Sequence, residues 1–209
     1  MTSNITALQW LEAAKHRRSV YGLASTSKIS KEEIQKILEE TLSFAPSSYN
    51  TQPTRLTLIT GEKQREFWNA IQAVAEPILR DFGESVWAQM GPRFEAFKGA
   101  HGSVLFWESE DSIKMSQQFH PAAAHMFNEF SDHTNGMHQI LVWTALEIAG
   151  LGANLQHMQA LPGVEDAIKK FCDVPNDWKL KAHLNFGDEA QEHPPVPQKL
   201  EYSKTLQVL

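Results

Sequence analysis

Apolar positions recur with helical spacing in some stretches of the chain and with strand alternation in others. Leu8, Trp10 and Leu11 predict a first helix from Thr6 to about His16. It closes on Lys15-His16-Arg17-Arg18, a basic turn that suits the negative end of a helix dipole. Ser30-Lys31-Glu32-Glu33 has capping-box spacing, and Ile34, Ile37, Leu38 and Leu42 follow on one face. That helix should stop at Ala45, because Pro46 disfavours an α conformation in the residue before it. Leu56 to Thr60 reads as a strand closed by Gly61, followed by a helix from Glu62 to about Ala75. From Glu76 to Gly99 the pattern stays helical, and Pro77, Gly83, Gly91 and Pro92 predict breaks in it. Ser103 to Trp107 is continuously apolar, as a strand buried on both faces would be.

Within the aromatic-rich stretch from Asp111 to Phe130, Pro121 predicts a helix start. Gly136 to Ala149 carries apolar side chains on nearly every side, which predicts a helix buried all round in a core or a subunit interface. Gly150 and Gly152 suit its end, with Asn154 to Met158 extended beyond it. A helix follows over about Gly163 to Phe171, then a strand in which Trp178, Leu180, Ala182, Leu184 and Phe186 should share one face. Helices and strands alternate without a regular β-α repeat, so the fold class is α+β rather than a doubly wound sheet. The proline-rich stretch from Glu189 to Lys199 predicts an extended arm, which frays unless it docks on a partner subunit.

With 209 residues and 42% hydrophobic content, the chain can bury one sizeable core, and residues 1–209 read as a single domain. The lone Cys172 excludes an internal disulfide framework and a clustered thiolate metal site, and fits a reducing compartment. Met1 to Trp10 lacks the pattern of a secretory leader, and no apolar run reaches the ~20 residues that span a bilayer. The expectation is a cytoplasmic protein, also nuclear if the cell has a nucleus, with no membrane partner. A formal charge of −6 demotes nucleic acid as a partner. Lys15, Arg17 and Arg18 nevertheless cluster, so a small anion is a candidate ligand.

Several chemistries lack their motifs. Nine histidines are available, but His120 and His125, and His133 and His138, are each five apart, and no His-Glu-x-x-His occurs, so no metal site is expected. No Gly-x-Ser-x-Gly elbow supports a serine hydrolase, and no Gly-x-Gly-x-x-Gly supports a resident nicotinamide cofactor. Cys172 precedes Asp173, an acidic neighbour that would raise its pKa, and so reads as a packed small residue rather than a nucleophile.

What stands out is Ala45 to Arg55, where small hydroxyls and amides lie between Pro46 and Pro53 just before the first strand. Taken singly, Ser47, Ser48 and Asn50 could serve only to cap and turn a loop, and His157 could be a structural histidine. Taken with Arg17-Arg18-Ser19 and Gly150-Leu151-Gly152-Ala153-Asn154-Leu155-Gln156-His157, the loop resembles the flavin-binding framework of the nitroreductase-like oxidoreductases. The motifs span nearly the whole chain in the family order, and the Pro-Ser-Ser loop is the strongest match.

That resemblance implies a three-layer fold with a central mixed sheet between helices, built as a homodimer with exchanged C-terminal arms and interfacial flavins. It implies FMN as cofactor, with Arg17, Ser19 and Lys199 on phosphate and ribityl oxygens and Arg18 flanking them. Ser47, Ser48, Asn50 and Gln52 would come from the other subunit, and Leu155, Gln156 and His157 would lie beside the flavin ring. The implied activity is NADH- or NADPH-driven reduction of a small aromatic acceptor, a nitroaromatic or quinone, with His157 as the candidate proton donor. Alternatives are reductive dehalogenation and a low-turnover flavin-binding regulatory or stress-response protein. Tyr21 stands where many relatives carry a basic residue, and His157-Met158-Gln159-Ala160 replaces Pro-x-Glu-Gly, so redox potential and substrate preference do not transfer.

Overall fold

A computed structural model describes residues 5–209. The first four residues, part of the stretch read above for a leader, lie outside the described residues. Helix α1 (Ala7–His16) and helix α2 (Lys31–Phe44) each start at a complete capping box, on Thr6 with Gln9 and on Ser30 with Glu33. Strand β1 (Thr54–Thr60) leads into α3 (Glu62–Asp81) and α4 (Glu84–Lys98). Strand β2 (Gly102–Ser109) is followed by α5 (Glu110–Phe119) and a 3-10 turn over Pro121–Met126. Then come α6 (Phe127–Ile148), β3 (Gly152–Gln156), α7 (Val164–Cys172), β4 (Trp178–Gly187) and a short α8 (Tyr202–Thr205).

The strands form one sheet in the order β1-β2-β4-β3, with every neighbouring pair antiparallel. Its mixed character is confined to a single parallel bridge, Ser19 to Ala153, on the β3 edge. β2 is buried along its whole length, as its continuous apolar run predicts. Helices cover both faces. Phe67, Trp68 and Ile71 of α3, with Phe94 of α4 and Ile168 of α7, pack on Leu105, Trp107 and Leu180. Ile34 and Leu38 of α2, with Val142 and Leu146 of α6, pack on Val104, Phe106, Ala182, Leu184 and Phe186.

Three sequence expectations are corrected here. Leu180 and Ala182 do not share a face: the β2–β4 register jumps from Phe106↔Ala182 to Trp107↔Leu180, leaving Lys181 as a bulge that moves the strand's apolar set to the other core. Pro77 and Pro92 do not break their helices. Each proline is exposed, and so is the residue four positions before it, Ala73 or Ala88, so the carbonyl that loses its partner can turn to water. The break falls at Gly83 alone, whose φ of 132° few other residues adopt. Helix α6 begins at Phe127 rather than Gly136, and its Met137, Ile140 and Ile148 are exposed on the single chain, so of the two expected settings the core takes only part of it. Among the described residues, no helix is long and apolar enough to cross a membrane.

Candidate functional site

Two groups of the singled-out residues gather at opposite edges of the sheet. On the β3 edge, Val20 N–H donates to the Ala153 carbonyl at 2.9 Å, which lays the Arg17–Ser19 segment against β3. Asn154 ties the same parts together from below, its Nδ2 donating to the Val20 carbonyl and its Oδ1 accepting from Gln156 Nε2, both at 2.8 Å. The Asn154 oxygen also receives Asn185 Nδ2 at 3.1 Å, and Asn185 Oδ1 receives Trp68 Nε1 at 3.0 Å. This buried amide chain therefore anchors Ser19 and Gln156 to the α3 core. A network of that kind fixes orientation only while every member is satisfied.

Arg17 is part-buried with its guanidinium 4.3 Å above the Trp143 ring, and that group donates no hydrogen bond among the described residues. Burial, and then the neighbouring Arg18 cation, lower it from its ordinary value while Glu147 opposes them. A guanidinium stays charged under such shifts, so its donors are available to an anion. Arg18 is committed instead to the carbonyls of Lys15, His16 and Arg17. Ser19 is exposed beside the buried Val20, and His157 is exposed just beyond the end of β3. Lys199 lies on the exposed arm with no hydrogen bond or ion pair among the described residues.

On the β1 edge, the loop between α2 and β1 holds Tyr49, Asn50 and Gln52 at φ of 53°, 55° and 47°. Left-handed backbone at three non-glycine residues is costly and marks a loop held by its surroundings. The Ser47 hydroxyl accepts from Gln52 N–H at 3.0 Å, and Arg55 Nη1 donates to the Gln52 carbonyl at 2.8 Å. Arg55 Nη2 in turn reaches the Ser112 hydroxyl at 3.1 Å. Ser47 is thus a loop cap, while the side chains of Ser48, Asn50 and Gln52 hydrogen-bond to nothing among the described residues. Asn50 and Gln52, though not Ser48, line a cavity of about 480 Å³ together with Ser47, Arg55, Ser112 and His138. Tyr49 packs 4.5 Å from His120 and 5.5 Å from Phe127, so the aromatic stretch after α5 abuts this loop.

Arg55, Ser112, His138 and the Asn154–Asn185 pair escaped the sequence reading. Their roles depend on pairings across the sheet, and only Arg55, inside the loop segment, and Asn154, inside the Gly150–His157 motif, carried a local signal. Cys172 is inert as expected, pushed up to about 12, but the cause is burial rather than Asp173.

With this geometry in view, comparison with known proteins is decisive. The model of the nitroreductase family matches residues 14–188. The chain belongs to that family. Nitroreductase FRM2 of Saccharomyces cerevisiae is 32% identical over 200 residues, 94% of this chain and 92% of its own. The structure of nitroreductase CinD from Lactococcus lactis in complex with nicotinic acid superposes with a TM-score of 0.84 at 28% identity, covering 96% of this chain and 99% of that one. CinD in complex with 4-nitrophenol gives a TM-score of 0.80 at 29% identity, over the same shares of the two chains. A nitroreductase structure from Saccharomyces cerevisiae matches with a TM-score of 0.73 at 30% identity, covering 88% and 97%. This nitroreductase-family chain is therefore a flavin-type oxidoreductase with the family's α+β fold.

Proposed function

We propose that the chain is an FMN-dependent NAD(P)H oxidoreductase that reduces small aromatic acceptors, nitroaromatics first and quinones second, and works as a homodimer. The observation that carries this reading is the pair of half-sites on opposite edges of one sheet. Three strand spacings of about 4.8 Å separate β1 from β3, roughly 14 Å, so one chain does not close both groups around one ligand. A second copy would supply the missing half.

The residues suit FMN. The unpaired Arg17 guanidinium matches a phosphate dianion, Ser19 a ribityl hydroxyl, and Leu155, Gln156 and His157 one edge of the ring. Ser48, Asn50 and Gln52 of the second copy offer hydroxyl and amide groups that have no partners among the described residues of their own chain. Ser47 serves by shaping that loop, and Lys199 would join the phosphate from the exposed arm. When bound, FMN would accept hydride from NADH or NADPH and return electrons to the acceptor. The protein's part is positional: the amide chain through Asn154 orients Gln156, and Tyr49, His120 and Phe127 form an aromatic wall beside the loop. Exposed His157 could pass a solvent proton to the reduced acceptor.

The dimer has a surface to use. Trp10, Ile37, Phe44, Ile140 and Ile148 line an apolar groove of about 610 Å³ between α2 and α6. Exposed apolar surface of this kind marks an interaction site. Anaerobic addition of NADH to the FMN-loaded protein should bleach the flavin band, and a nitroaromatic should restore it. Protein that stays colourless after incubation with FMN would refute the reading.

A further inference from the structure

Where the end of α1, the end of α6 and the start of the C-terminal arm meet, three side chains converge that the flavin reading leaves unused. His16 Nδ1 lies 2.7 Å from Glu147 Oε1, and His193 Nε2 lies 3.8 Å from the same oxygen. One ligand atom from each of the three falls within 4.8 Å of the others. The Glu147 side chain is only 4% exposed, and its Oε2 is buried without a hydrogen-bond partner among the described residues. A buried carboxylate with an idle oxygen is costly unless a cation meets it. The adjacent Arg17, over Trp143, acts on this carboxylate through its charge but makes no hydrogen bond or ion pair to it.

The arm delivers its histidine in a defined pose. Ala24 N–H donates to the Asp188 carbonyl and Ala190 N–H to the Gly22 carbonyl, each at 2.8 Å, which fixes the backbone just before His193. His193 Nδ1 lies 2.9 Å from Glu189 Oε1. A carboxylate at that nitrogen holds the proton there and leaves Nε2 as the coordinating atom, the usual outer support of a metal-bound histidine. Nε2–H now donates to the His16 carbonyl at 2.9 Å, so the ring carries a proton on each nitrogen; on metal binding the Nε2 proton leaves to solvent and the ion takes its place.

We propose that His16, Glu147 and His193 form a binding site for a divalent ion of zinc type, with Glu189 as its outer support. Two imidazoles and one carboxylate match the nitrogen and oxygen preference of zinc, and the rings, now stacked with centroids 4.4 Å apart, must turn out of that stack to aim both nitrogens at an ion at about 2.0–2.2 Å. His16 is 68% exposed on its side chain, which leaves room for water as a fourth ligand. The bound ion fastens the arm to the body of the protein beside Arg17. Chain spacing gave no hint of this site, because Glu147 and His193 are 131 and 177 positions from His16.

The test titrates tag-free, flavin-loaded protein with zinc chloride against a chromogenic zinc chelator. The expected result is one zinc per chain, weakened at least about tenfold in His193→Ala and in Glu147→Gln, and unchanged in His125→Ala, whose histidine is exposed in the 3-10 turn before α6. Zinc should also slow proteolysis of the arm in the parent protein and not in His193→Ala. Absence of stoichiometric zinc binding, or full binding by His193→Ala, overturns the proposal. His193 lies on the arm outside both cores, so its variant decides the question even if Glu147→Gln fails to fold.

Discussion

Arg17 and Asn154 act at the same edge of the sheet in different ways. The Arg17 guanidinium donates no hydrogen bond among the described residues, so its removal should cost only its stacking on Trp143, about 0.5–1 kcal/mol, while taking donors from the phosphate. A charge-assisted bond contributes about 1.5–3 kcal/mol, so Arg17→Ala should weaken FMN binding roughly tenfold to a hundredfold or more, read by flavin fluorescence titration. Unchanged affinity would remove Arg17 from the site. Asn154 is 1% exposed and joins Val20, Gln156 and Asn185. Asn154→Ala strands two buried groups and one part-buried group and should lower stability by about 1–3 kcal/mol or more in urea unfolding. A neutral result would mean that water replaces the amide and that Ser19 and Gln156 are held by their backbones alone.

At the scale of elements, the loop before β1 and the bulge in β4 are the places where local rules yield. Asn50 tolerates a left-handed backbone better than most residues, and glycine tolerates it freely. Asn50→Gly should therefore keep stability within about 1 kcal/mol yet weaken flavin binding, whereas Asn50→Val should cost about 1–2 kcal/mol by straining the loop. Equal stability of the two variants would show that the loop relaxes out of this conformation. The β4 bulge has a visible beneficiary. It directs Lys181 to Asp132 and to within 3.5 Å of Glu108, a buried carboxylate that burial pushes up and the Lys181 cation pulls back. The apolar set of β4 can thus serve both cores while the extra residue answers a buried charge.

The whole molecule adds two tests. Ile140, 44% exposed in the groove between α2 and α6, should be covered in the proposed dimer. Ile140→Glu should shift the protein toward monomer in sedimentation equilibrium and lower flavin affinity with it; a monomer that keeps full affinity would contradict a shared site. The second test concerns His183, fully buried, stacked 5.1 Å from Trp68 and lowered to about 3 by burial first and the nearby His157 second. Its Nε2 accepts from Met158 N–H at 3.2 Å, so the neutral ring is the one the fold requires. Above the ordinary histidine value near 6.5, folded and unfolded chains both hold it neutral and it contributes no pH dependence. As pH falls from there toward about 3, the unfolded chain takes up a proton that the folded one refuses, so stability declines through that window. His183→Gln, which can still accept from Met158, should flatten the decline in urea midpoints between pH 7 and pH 4. An unaltered slope would assign it to other groups.

The sequence by itself determined the elements whose causes are local. The Ser30 capping box, the stop before Pro46, the wholly apolar β2 and the loop rich in hydroxyls and amides were legible because each depends on neighbours within a few positions. The family motifs were legible for a related reason, since a ligand-gripping segment keeps its residue types together. Tertiary structure alone decided the rest. It kept Pro77 and Pro92 inside helices by turning their freed carbonyls to solvent, and it split the alternation of β4 between two cores through Lys181. It also placed the two halves of the candidate site on opposite edges of one sheet and brought His193 to His16 and Glu147. Those outcomes depend on which distant side chains compete for the same buried volume, and no window along the chain contains that competition.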